Sequence, residues 1–326
     1  MKNRDFAIDL IKFMGVLLII NSHMGEAYPK WGFLASGGAI GNSLFFFASG
    51  FLLSYKNIPA IRSISSRGGY FLKTKISRIY SSLFAVIIFK GFWENDSISF
   101  HSVIFSVGGY WFVECVLLYF IFSWPLINFK NKSMLVVCAF TSLFCLWLCC
   151  FLEHGVDTIF GTGSFWIKVP LYWPVLCAGI VMGRFNDSIR IKTIYGCTIS
   201  LVSIALFYLS CWLTRNNTYD SVAVIPLICA CVGLYIMFNS QFVKKIMGYG
   251  LMRNFVLVIC AVSLESYMIQ FSIITDKLNS LFPLNILILI ATIIVVSIIT
   301  RFFSKLILQT FAKDNYNVKE LINITK

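Results

Sequence analysis

Charge is scarce in this sequence. Only 13% of its 326 residues are Asp, Glu, Lys or Arg, 58% are hydrophobic, and the mean hydropathy is +0.81. A water-soluble domain carries about 25% charged residues, so an ordinary soluble fold is excluded. The eleven cysteines include no Cys-x-x-Cys pair, which gives no support to a zinc site or a disulfide framework and leaves them as small packing residues. There is no internal repeat with a period of about 20 to 50 residues and no low-complexity linker. No small-residue cleavage pattern follows the first apolar run, which Asp9 and Lys12 interrupt. That run is therefore expected to persist as a helix rather than to be removed as a signal peptide. With a short polar tail from Lys313 to Lys326, one integral-membrane domain over 1–326 is expected, with no appended soluble domain.

What the chain does have is apolar runs recurring at close to the ~20 residues that cross a bilayer. Ten spans are expected: Phe6–Met24, Ala39–Tyr55, Ile79–Phe92, Tyr110–Phe129, Met134–Leu152, Pro170–Gly183, Thr193–Leu213, Ser221–Phe238, Phe255–Thr275 and Pro283–Thr300. The fold class is an all-α polytopic transmembrane bundle. The net charge of +13 would suggest nucleic acid in a soluble protein, but here the charges alternate with the spans. Twenty-one of the 27 Lys and Arg fall on one side and four, Lys30, Lys168, Arg215 and Lys277, on the other. Arg301 and Lys305 are counted with the first group, as part of a basic C-terminal tail. The positive-inside rule then puts both termini in the cytoplasm, and the partner is the lipid bilayer, not nucleic acid.

Ionisable groups inside such spans cost several kcal/mol unless they face a partner or a wet cavity, so each is a candidate site residue. The first span carries Asp9, Lys12 and His23. Lys12 and His23 are eleven residues apart, on one helical face and roughly 16 Å from each other. Glu114 and Glu265 are the other acidic groups at membrane depth. Glu114 stands in a run with Tyr110 and Trp111, which also suit interfacial anchors. Glu265 stands with Ser263, Ser266, Tyr267 and Gln270, either as interhelical hydrogen-bonding groups or as a cavity lining. From Lys56 to Arg78 there are six cations, Lys56, Arg62, Arg67, Lys73, Lys75 and Arg78, and no acidic residue. This loop reads either as ordinary topology with attraction to anionic lipid headgroups or as a cradle for a ligand with several phosphates. Glu153, His154 and Asp157 lack a further His or Cys at ligand spacing and read as a solvated loop, so no metal site is expected.

These residues resemble the membrane-bound acyltransferase family three, whose bacterial members O-acylate surface polysaccharides and lipid-linked sugars. That family opens with a basic residue, ten residues and a histidine, as Lys12 to His23 do. Its second helix is similar to Phe45-Phe46-Phe47-Ala48-Ser49-Gly50-Phe51. Its first inner loop commonly ends Arg-x-x-Arg-Ile-x-Pro, against Lys75-Ile76-Ser77-Arg78-Ile79-Tyr80-Ser81 here. Weaker echoes are Trp111-Phe112, Ala178-Gly179 to Gly183-Arg184, and Ser263 to Gln270, where relatives often end in histidine.

The resemblance implies an O-acyltransferase, most commonly an O-acetyltransferase, of the bacterial cytoplasmic (inner) membrane. Its donor would be acetyl-CoA or another acyl-CoA, as a substrate and not a bound cofactor, and its acceptor a hydroxyl of a polysaccharide or lipid-linked sugar. An unperturbed imidazole titrates near pH ~6.5, so His23 suits a general base toward that hydroxyl, or a covalent acyl carrier. Lys12 would bind phosphate or stabilise charge at the thioester, with Asp9 as its charge partner. Arg78, Arg67, Lys73 and Lys75 would hold CoA phosphates, while Ser49, Trp111, Glu114, Glu265 and Tyr267 would line the cavity or bind the acceptor. The runner-up is a transporter or flippase for a lipid-linked saccharide, for which many helices and intramembrane charge are equally natural.

Overall fold

The structure, a computed structural model, describes residues 5–55, 67–94, 110–152, 160, 165–186, 191–214, 220–311 and 316–325. Among these residues every regular element is helical. They are α1 (Phe6–His23), α2 (Gly38–Ser54), α3 (Arg67–Glu94), α4 (Trp111–Asn128), α5 (Asn131–Leu152) and α6 (Phe165–Arg184). There follow α7 (Thr193–Thr214), α8 (Val224–Phe238), α9 (Gln241–Ile246), α10 (Gly250–Ala261), α11 (Ser263–Ile273), α12 (Leu284–Thr310) and α13 (Val318–Ile322). Nine described helices are long and apolar enough to cross a membrane, and α10 with α11 makes a tenth if the two are one bent span. Phe140, Leu143, Trp147 and Phe151 of α5 and Leu201 and Trp212 of α7 are exposed, as lipid-facing side chains would be. Lys56, Arg62, Glu153, His154 and Asp157 lie outside the described residues, as does the side chain of Arg67 at the start of α3.

The chain forms two compact units. The first consists of Met1–Lys12, Asn42–Gly69 and Cys115–Tyr249. Its centre is aromatic: Phe46 of α2 packs on Tyr119 and Tyr172, and Phe47 and Phe51 on Tyr235. Glycine brings α2 and α6 into backbone contact. A Cβ on Gly50 would strike the Leu176 carbonyl, and one on Gly179 the carbonyl of Phe47. Ser54 Oγ completes the seam by donating to the Ile180 carbonyl at 2.6 Å. Without a hydrophobic effect between helices in lipid, such close approach is what associates them. α6 also carries Pro170 and Pro174 in its interior. Proline removes helical hydrogen bonds, and beside the two rings the Tyr119 hydroxyl of α4 donates to the Val169 carbonyl at 2.5 Å.

The second unit consists of Phe13–Gly41, Tyr70–Glu114 and Gly250–Lys326. α10 and α11 meet at an angle of 70° around the buried Val262. At one end of this unit Asn279 donates to the Glu26 carbonyl at 2.9 Å and Asn285 to the Ala27 carbonyl at 2.8 Å. This joins the segment after α1 to the segment before α12. At the C-terminal end α13 folds back on α12: Lys305 Nζ donates to the carbonyls of Glu320 and Asn323 at 2.9 and 2.6 Å.

Four expected spans differ. The third begins twelve residues before Ile79, so Lys73, Lys75 and Arg78 are helical residues of α3 and not loop residues. The sixth begins at Phe165 because the helix runs through both prolines, and Lys168 is buried in it and not in an outer loop. The ninth is the broken pair α10 and α11. The tenth continues to Thr310, and Arg301 and Lys305 are buried along it instead of forming a basic tail. Along the tenth the polar groups have partners that hydropathy alone does not supply, Arg301 in Glu265 and Lys305 in the carbonyls of Glu320 and Asn323.

Candidate active site

α1 runs without interruption from Phe6 to His23, so the Lys12 to His23 spacing is about three turns and ~16 Å. Asp5 precedes the helix and accepts the Ala7 N–H at 2.9 Å, which fixes its N-terminus. Asp9 is buried, Lys12 half-buried and His23 exposed at the C-terminal end. Asp9, Lys12 and Ser49 belong to the first unit, and Ser49 is half-buried next to the glycine seam of α2. His23, Lys73, Lys75, Arg78, Trp111, Glu114, Glu265 and Tyr267 belong to the second.

Within the second unit two clusters share α11. At its C-terminal part, the imidazole of His23 stands edge-on to Phe271, ring centres 4.6 Å apart. Tyr110 and Tyr267 also contact Phe271, Phe112 contacts Tyr267 at 5.1 Å, and Trp111 leans on Phe112. The Tyr110 hydroxyl donates to the Met268 carbonyl at 3.1 Å, which holds this aromatic group on α11. His23 therefore sits against an aromatic wall, with its ring still exposed.

Six residues earlier on α11, roughly 9 Å along the axis, is the second cluster. Glu265 is fully buried. Its Oε1 accepts from Ser82 Oγ at 2.6 Å and from Arg301 Nη1 at 3.2 Å. Ser304, one turn beyond Arg301, is within hydrogen-bond distance of both Ser81 and Ser82. Arg78 lies in the electrostatic field of Glu265 and Arg301, and Lys305 in that of all three. Arg301 thus pairs with this membrane-depth carboxylate, and Arg78 and Lys305 lie within its electrostatic reach. Lys305 spends its donors on backbone carbonyls, while Arg78 remains exposed. The arrangement can hold an anion at Arg78.

Other groups in this region still have hydrogen-bonding capacity. Glu265 Oε2, Ser266 Oγ, Gln270 Oε1 and Arg301 Nε are buried with no partner among the described residues. Ser266 and Gln270 are four residues apart and so share a face of α11. Buried polar atoms without partners are uncommon, and they mark places built for water, ions or substrate. Glu114 stays half-buried at the start of α4. No group of three or more metal-ligating residues occurs among the described residues.

Sequence reasoning singled out Glu265 and Arg78 separately, and the fold brings them together. It missed Arg301, Ser82 and Ser304. A signal was present: Ser297, Thr300, Arg301, Ser304 and Lys305 recur at helical spacing, a polar stripe continuing past the expected helix end.

In a scan of protein families, residues 5–302 match an acyltransferase domain. No curated protein and no solved structure matches the chain.

Proposed function

This chain belongs to acyltransferase family 3, and on that premise we propose that it moves an acyl group, most commonly acetyl, from cytoplasmic acyl-CoA to a hydroxyl of a cell-surface or lipid-linked polysaccharide. The membrane is the bacterial cytoplasmic one. The observation that carries the reading is the arrangement along α11: an exposed Arg78 beside Arg301 and Glu265 at one end, and an exposed imidazole, His23, at the other.

In this scheme neutral His23 accepts the proton of the attacking sugar hydroxyl as its oxygen forms a bond to the thioester carbonyl carbon. The C–S bond then breaks, and the imidazolium returns the proton to the departing thiolate, giving the ester and free CoA. Lys12, about three turns away on α1, binds a phosphate of the donor, with Asp9 as its charge partner. Arg78, assisted by Lys75, Lys73 and Arg67 of α3, neutralises CoA phosphates. Ser49, Trp111, Glu114, Glu265 and Tyr267 line the path of the acceptor. An extended pantetheine arm spans much of the ~16 Å between Lys12 and His23.

The test uses the purified protein in lipid, labelled acetyl-CoA and a surface glycan. His23→Ala is expected to abolish label transfer. Full transfer by that variant would remove the assignment. Flux of a lipid-linked sugar without incorporation of label would instead favour the transporter reading.

A further inference from the structure

A cavity of about 510 Å³ opens in the first unit where the start of α1 meets the ends of α2, α6 and α8 and the short helix α9. Its volume is within the range of about 300–1,000 Å³ usual for small-ligand sites. Three half-buried rings, Phe6, Tyr55 and Phe238, line it together with Asp5 and Lys244. Both carboxylate oxygens of Asp5 are already hydrogen-bonded, Oδ1 by the Ala7 N–H at 2.9 Å and Oδ2 by the Tyr235 hydroxyl at 3.1 Å. What Asp5 still offers the cavity is its charge. It forms no ion pair among the described residues, and the charge of Asp9 that acts on it is also negative.

The backbone adds to that sign. The C-terminal end of a helix carries about half a negative charge, and three such ends, those of α2, α6 and α8, border the cavity. The opposing positive end, the N-terminus of α1, is capped by Asp5 itself. Lys244 is the one cation among the described lining residues, and its side chain is exposed, so water and salt screen it. An anion is therefore disfavoured inside, and a hydrocarbon chain would leave the carboxylate in an apolar setting without a counter-charge. A hard metal ion asks for about six or more oxygens, whereas rings occupy much of this lining and no group of three or more metal-ligating residues occurs among the described residues. A primary ammonium brings three N–H donors that need acceptors, and both oxygens of Asp5 are already engaged. A methylated ammonium has no such requirement. It needs negative charge and aromatic faces, and this cavity supplies both.

We propose that this cavity binds a trimethylammonium group of the kind carried by choline, held by the Asp5 charge, the three helix ends and the faces of Phe6, Tyr55 and Phe238. The proposal rests on the cavity alone and stands or falls independently of acyl transfer. The ends lining it are the ones that the charge pattern assigns to the cytoplasm, so the group is reached there, either as a free cation or as the headgroup of an inner-leaflet lipid.

Equilibrium binding of labelled choline to the full chain in phosphatidylglycerol nanodiscs tests this. The neutral alcohol 3,3-dimethylbutanol, which has the shape of choline without its charge, should compete about tenfold more weakly, and ethanolamine should also compete more weakly than choline. Asp5→Asn keeps a capping side chain on α1 but removes the charge, and is expected to weaken choline about tenfold. Phe238→Leu keeps the apolar bulk and removes one aromatic face, for a loss of about threefold to tenfold. A wild-type elution profile on size-exclusion chromatography for these two variants identifies the loss as one of binding. Lys244→Ala removes a like charge and should leave choline binding equal or tighter. Weaker labelling in nanodiscs that contain phosphatidylcholine would uphold the site and identify a lipid headgroup as its occupant, and unchanged labelling would uphold it with a free cation. Absence of choline binding, equal competition by the neutral alcohol or ethanolamine, wild-type affinity in both Asp5→Asn and Phe238→Leu, or weaker binding in Lys244→Ala would overturn the proposal.

Discussion

Deleting the carboxylate of Glu265 leaves Arg301 buried with its main partner gone, and deleting the guanidinium leaves the carboxylate in the same position. Breaking a buried ion pair from one side costs about 3–5 kcal/mol, whereas replacing both members with well-packed neutral side chains is often nearly neutral. Glu265→Ala and Arg301→Ala should each lower the thermal midpoint in detergent sharply, and Glu265→Gln with Arg301→Met should recover most of the loss. Additive losses in the double variant would mean that the two residues do not act as a pair. Asp5 gives a pH dependence of the opposite kind from a stabilising salt bridge. Burial pushes its carboxyl above the ordinary 3.8, with the Asp9 charge adding to the effect, despite opposing hydrogen bonds from Tyr235 and the backbone. Ionisation therefore costs the folded protein more than the unfolded chain. The contribution is most favourable below the unfolded value, and it is lost as pH rises from about there through the higher folded value. Unfolding midpoints measured from pH 4 to 7 should show that decline in the wild type and a flatter profile in Asp5→Asn.

The helices pack through features that their composition does not announce. Gly179 has the Phe47 carbonyl where a side chain would begin, so Gly179→Ala must push α2 and α6 apart along a seam that also contains Gly50 and Gly183. Loss of folded protein on size-exclusion chromatography is expected for Gly179→Ala. The same change at Gly250, where a Cβ meets nothing within 4 Å, should be tolerated. Hydropathy was enough to locate nearly every span, because a run of about 20 apolar residues has few alternatives. It could not locate the ends of α3, α6 and α12. Each of these continues through polar residues or proline whose costs are met by partners elsewhere, as Lys305 is by the Glu320 carbonyl and Arg301 by Glu265. Nor did it show the 70° break before Ser263, since no proline or glycine stands at Val262 to mark it. The candidate site was half legible for the same reason: isolated charges at membrane depth are conspicuous, but their pairing over 36 positions from Glu265 to Arg301 is not.

Across the chain, the charge asymmetry and the fold constrain the topology independently. Counting Lys and Arg alternates the spans and leaves the N-terminus inside. In the first unit the start of α1 and the ends of α2, α6 and α8 line one cavity, so these four ends share a side of the membrane. Alternation of successive spans demands that outcome, because an even number of crossings separates these ends and one span too many or too few would send an end to the opposite face. In the second unit the segment after α1 is hydrogen-bonded to the segment before α12, which puts Glu26 and Asn279 together on one side. With α1 crossing once, that side is opposite the N-terminus. On the charge pattern the chain leaves α8 on the inner side and reaches Asn279 on the outer one, so the bent pair α10 and α11 is expected to cross as one span. A fluorescent reporter that folds only in the cytoplasm should therefore be bright when fused after Asn239 and dark when fused after Asn279. An alkaline phosphatase active only outside should show the reverse. Bright fluorescence at both positions would mean that α10 and α11 form a re-entrant loop, and that the number of crossings is nine.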